Sequence, residues 1–148
     1  MTNKFYLYPD PGKLPDKPEP KPGSKIKLKV SGFPPYKDIK FSIRNTKHRH
    51  YERFANLRST AIINMKGRKW YDGPIEINLK VHAPDLEENK DHIDYTGGVM
   101  DTLDGSHGPS FTYLPIVYQD DCQVSIGRYT FIKSSKIFYT LEIVFLKT

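Results

Sequence analysis

The chain predicts an α+β fold, a single domain in which a mixed β-sheet of about four strands is covered on one face by two helices. Three observations carry that expectation. Stretches of strict apolar/polar alternation occur near the front and in the middle of the chain. One stretch between them repeats its apolar residues at helical spacing. The elements then follow in the order strand, helix, strand, helix, strand, strand, and 148 residues suit one core.

Residues 1–24 come first and read as an arm on the domain of residues 25–148. Six of the chain's twelve prolines lie between Pro9 and Pro22, in a charge-rich run that can build neither a helix nor a central strand. In KIKLKV, Ile26, Leu28 and Val30 alternate with Lys25, Lys27 and Lys29, the period of a half-buried strand; Gly32 and Pro34–Pro35 end it. The best helix runs from Arg49 to Lys66, with Phe54, Leu57, Ala61, Ile62 and Met65 on one stripe and Gly67 as its stop. Gly73–Pro74 turns into IEINLKV, a second alternating strand. Tyr95 to Leu103 reads as a short helix ended by Gly105. Its Gly97–Gly98 pair either admits the close approach of a phosphate backbone or partner chain, or marks a turn in place of the helix. A loop through Gly108–Pro109 leads to PIVYQDDCQVSIGRYTFI, read as a strand, and IFYTLEIVFL is the last strand.

The net charge is +6, which favours polyanionic partners because each neutralised phosphate releases counterions. Basic residues crowd the approach to the first helix and its far end: Lys47, His48, Arg49, His50, Arg53, Arg58, Lys66, Arg68 and Lys69. Of these, Lys47, Arg49, Arg53, Arg68 and Lys69 are the expected DNA contacts, with His48 and His50 extending the patch. Acids crowd the region from Asp85 to Asp121. No apolar run approaches the ~18 residues that span a bilayer, and the N-terminus has no apolar stretch of signal-peptide length, so a cytoplasmic protein without membrane contact is expected. Cys122 is the single cysteine; it excludes an internal disulfide and reads as a small buried strand residue.

Asp91, Asp94, Asp101 and the pair Asp120–Asp121 form the candidate chemistry. Magnesium takes oxygen ligands and keeps several waters, so a few carboxylates converging from separate elements suffice. Strand parity groups Asp121 with Gln123 and Ser125 as solvent-facing, and Asp120 with Cys122 and Val124 as buried. The competing reading makes Asp91 a helix N-cap, with Asp94 stabilising the first turn.

The segments KDHIDYTGGVMDTLDG and VYQDDCQV, in that order, resemble the signature of the RusA family of Holliday-junction resolvases. The likeness spans roughly residues 25 to 146 and includes a first strand ending in Pro-Pro. It implies a dimeric, Mg²⁺-dependent endonuclease (Mn²⁺ as a substitute) that cuts four-way or other branched DNA in recombination and repair; many such proteins are carried by prophages. It would make Asp91, Asp94 and Asp121 the metal-binding carboxylates and assign Asp120 and Asp101 to supporting roles. Two departures stand out. The family's Asp-x-Asp is here Asp91-His-Ile-Asp94, and its catalytic lysine falls on Gly97 or Gly98, leaving Lys90 as the nearest substitute. The alternative implied is a RusA-like DNA-binding protein with altered or lost catalysis.

Overall fold

The computed structural model describes residues 15–36, 47–104, 106–107, 112–113 and 115–148. In chain order the elements are strand β1 (Lys25–Ser31), helix α1 (Tyr51–Met65), strand β2 (Ile75–Ala83) and helix α2 (His92–Leu103). The two-residue strands β3 (Ser106–His107) and β4 (Thr112–Tyr113) follow, then a 3-10 turn (Asp121–Gln123) and strands β5 (Val124–Lys133) and β6 (Phe138–Phe145). The main sheet runs β1–β6–β2–β5. Its first two pairings are antiparallel, and β2 with β5 is parallel, so the sheet is mixed. The expected α+β order holds, with the β3–β4 pair as an addition.

Alternation builds the core. Ile26, Leu28 and Val30 of β1, Ile75 to Val81 of β2 at every second position, and Tyr139, Leu141, Ile143 and Phe145 of β6 all point to one face. Against it α1 lays Leu57, Ala61 and Met65, and α2 lays Tyr95, Val99 and Leu103. Each such side chain contributes roughly 1.5–3 kcal/mol of burial before ordering costs. The other face of the sheet carries the intervening polar residues.

Four local expectations change. Helix α2 starts before Tyr95, at His92, because Asp91 caps it. Its Gly98 is a helical residue, and what approaches it is the chain's own loop: a Cβ there would fall 2.7 Å from Tyr36 Cα and closer still to the Pro35 carbonyl. Strand β5 starts only at Val124, since the preceding residues form the 3-10 turn; Cys122 lies exposed in that turn and is not buried in a strand. The described part of the Pro-rich segment is seated on the domain. Asp16 and Lys17 donate backbone N–H bonds to the Gly67 carbonyl (both 3.1 Å), and Ser24 accepts from the Phe145 N–H (2.8 Å). Its first fourteen residues, Gly105 and the Gly108–Pro109 loop lie outside the described residues. Among the described residues, no helix is long and apolar enough to cross a membrane.

Candidate metal centre

Helix α2 separates the acids into two groups. At its start, Asp91 Oδ1 accepts the N–H bonds of Ile93 (2.9 Å) and Asp94 (3.1 Å), and Asp94 Oδ2 accepts the N–H of Asp91 (2.9 Å). This reciprocal capping box stabilises the charged form of Asp91, whose carboxyl is held below its usual range chiefly by the bond from the Asp94 backbone. At about 1.5 Å per residue, Asp101 lies about 10 Å farther along the axis than Asp94.

The group that converges is Asp101, Asp104 and Asp121: one carboxylate oxygen from each lies within 4.8 Å of the other two. A Mg²⁺ ion holds its oxygens at about 2.1 Å. The expected trio of Asp91, Asp94 and Asp121 therefore does not meet around one ion in this arrangement, because Asp91 and Asp94 cap the opposite end of the helix. Asp101, expected in support, joins the group directly. Asp104 was missed as a site residue; its signal was the three-residue spacing in DTLD, which sets both acids near one end of the helix.

Several hydrogen bonds fix Asp121. Asp120 Oδ1 accepts from the Cys122 N–H (3.0 Å), capping the 3-10 turn. Gln123 then joins two segments. Its Oε1 accepts from the N–H groups of Gln119 (2.9 Å) and Asp120 (3.0 Å), and its Nε2 donates to the carbonyls of Tyr71 (2.7 Å) and Gly73 (2.9 Å). Strand parity does not apply in such a turn, so the expected faces are reversed: Asp120 is exposed and Asp121 is half-buried. The N–H groups of Ile116 and Val117 both donate to the Leu103 carbonyl (3.2 Å), fastening this loop to the end of α2.

Tyr118 closes the group from below. Its hydroxyl lies 3.0 Å from the Met100 carbonyl and 3.3 Å from Asp121 Oδ1. Burial, and then the negative charge of Asp121, Asp104 and Asp101, pushes its pKa far up, so it stays a protonated donor. Asp101 and Asp104 sit at the negative end of the α2 dipole, and that last turn has no basic residue. Acids there are unfavourable with respect to the dipole, a cost that a cation would offset.

The expected cations are dispersed. Lys90 precedes α2, at the end away from the acidic group, with Nζ 4.3 Å from the Tyr36 ring centroid. It lines a cleft of about 380 Å³ with Arg49, His50 and Glu87. Arg49 donates to the Tyr36 hydroxyl (2.9 Å). Arg53 is committed elsewhere, as its guanidinium makes a two-pronged bond to Glu87 (2.7 and 2.8 Å) with 15% of its side chain exposed. Burial raises the Glu87 pKa, but the bonds from Arg53 and Tyr95 outweigh it and hold the carboxyl low. Arg68 caps the carbonyls of Met65 and Asn64 at the end of α1. Lys69 lies over the Trp70 ring, and Lys47 is exposed. His48 is buried beside Tyr36 and is no part of a surface patch.

Fold and site together define a small α+β domain with three carboxylates gathered where a helix end meets a 3-10 turn. Compared with known proteins, the chain matches no family model and no curated protein.

Proposed function

We propose that this protein is a divalent-metal-dependent endonuclease acting on branched DNA, in keeping with its resemblance to the RusA resolvases. The observation that carries the reading is the convergence of Asp101, Asp104 and Asp121 from two chain segments. The donor set suits Mg²⁺ or Mn²⁺, because it is all oxygen and both are hard cations that favour carboxylate ligands. When bound, a dication at this position neutralises phosphate charge and lowers the pKa of water. Asp101, Asp121 and the more buried Asp104 would each supply a ligand oxygen. Tyr118 orients Asp121 through its hydroxyl and, remaining protonated, does not add a fourth negative charge. The basic surplus of +6 supports a polyanionic substrate.

A second reading, a DNA-binding protein of the same fold without catalysis, is favoured by one observation. The position of the family's lysine is occupied by Gly97 or Gly98, and Lys90 stands at the other end of α2. Cleavage of a synthetic four-way junction in Mg²⁺ separates the two. The nuclease reading expects paired nicks that vanish in Asp101→Asn and Asp121→Asn but persist in Asp94→Asn. Binding without cleavage, unaltered by any of the three, favours the second reading.

A further inference from the structure

The open face of the sheet, opposite the helices, has a charge pattern that packing does not explain. Register places its residues in rows across β1, β6, β2 and β5. One row is Lys27–Glu142–Asn78–Arg128, and the next is Lys29–Thr140–Lys80–Thr130. The row on the other flank, Lys25–Val144–Glu76–Ile126, contributes a further lysine and the second carboxylate. These rows surround a shallow trough of about 580 Å³.

The two carboxylates are already engaged. Glu142 lies 3.5 Å from Lys25 and 3.6 Å from Lys27, and Glu76 takes Arg128 at 2.8 Å. That leaves five cations against two acids, with a Lys-Thr-Lys-Thr row that contains no carboxylate. Lysines on an edge strand commonly guard against aggregation, which accounts for those of β1. Lys80 has no such role, since β2 is paired on both sides. A second copy laid face to face would set lysine against lysine, so charge disfavours self-association through this face.

We infer that this face is a docking surface for single-stranded nucleic acid, with Lys29 and Lys80 contacting phosphates and Thr130 and Thr140 offering hydroxyls beside them. Lys29 and Lys80 flank Thr140 from the two neighbouring strands, roughly 9.6 Å apart on the same face, and a shallow trough admits an extended strand lying flat across them. The inference stands whether or not the acidic group binds a metal.

The test is the binding of a fluorescent thymidine oligonucleotide to the full chain over a salt series without added metal. Wild type should bind it more tightly than a duplex of equal length. K29E/K80E should weaken binding on the order of 10-fold or more and flatten the logarithmic salt slope by about 1.4, the value for two lost single-strand phosphate contacts. K133E/K136E, the same charge change at the β5–β6 turn, should leave both nearly unchanged. K29Q/K80Q serves if charge reversal unfolds the sheet, with loss in the same direction. Equal losses in the two Glu pairs, no loss in K29E/K80E, preference for the duplex, or no binding by wild type would each overturn the inference.

Discussion

At Gly98 a single hydrogen atom decides whether α2 can lie against the loop at Pro35–Tyr36, while one residue earlier a Cβ on Gly97 would meet nothing within 4 Å. The adjacent glycines therefore predict opposite outcomes in denaturant unfolding. Gly98→Ala should lose about 1–3 kcal/mol or more through overpacking against backbone, whereas Gly97→Ala should gain up to about 1 kcal/mol of helix propensity. Equal effects would mean that the loop is not seated there. The Arg53–Glu87 pair gives a second test. Because the Glu87 pKa is lowered on folding, its contribution is present above the ordinary carboxylate range and is lost as pH falls through the folded value. Glu87→Gln should destabilise by roughly 1–3 kcal/mol near neutrality. The gap from wild type should begin to close near pH ~4.3 and shrink further below it. A gap constant down to pH 3 would rule the linkage out.

Among the elements, the 3-10 turn has the largest consequence for the site, because it carries Asp121. Gln123→Ala removes the bonds to Tyr71 and Gly73 as well as those to residues 119 and 120, so it should weaken Mn²⁺ binding about tenfold or more while Asp121 itself is untouched. Titration calorimetry measures this; unchanged affinity would show that the turn holds without its glutamine. Elements with an internal period were readable from sequence. The Lys/Ile/Leu/Val alternation of β1 and the Phe54–Met65 stripe of α1 need no distant partner to be recognised. The Asp91–Asp94 cap was readable too, as two acids three residues apart ahead of a helix. What escaped depends on tertiary bonds. Asp120–Gln123 looks like the start of a strand until the glutamine's partners fifty residues away turn it into a 3-10 turn, and that reverses the faces of the two aspartates. Asp104 escaped because its closeness to Asp121 is set by the Leu103 carbonyl bonds to residues 116 and 117.

Across the described residues, charge is uneven, with three carboxylates gathered around the C-terminal end of α2 and five cations against two acids on the open sheet. If the acidic group takes a dication, folded-state binding must raise the melting temperature. At ten times Kd the gain is about 1.4 kcal/mol, worth roughly 3–6 °C for a domain of this size. Asp101→Asn and Asp121→Asn should abolish the shift, and Asp94→Asn should retain it; a shift preserved in all three would place the ion elsewhere. Topology adds a further property. Both halves of the acidic group lie in the crossover between β2 and β5, and among the described residues β5 is an edge strand paired with β2 alone. Opening of β5 frees one end of that crossover while β1, β6 and β2 stay paired. The 3-10 turn with Asp121 adjoins that edge, so a ligand of the acidic group should draw the population towards the closed edge. Amide exchange should report this, with β5 exchanging faster than β6 and slowing most when Mn²⁺ is added.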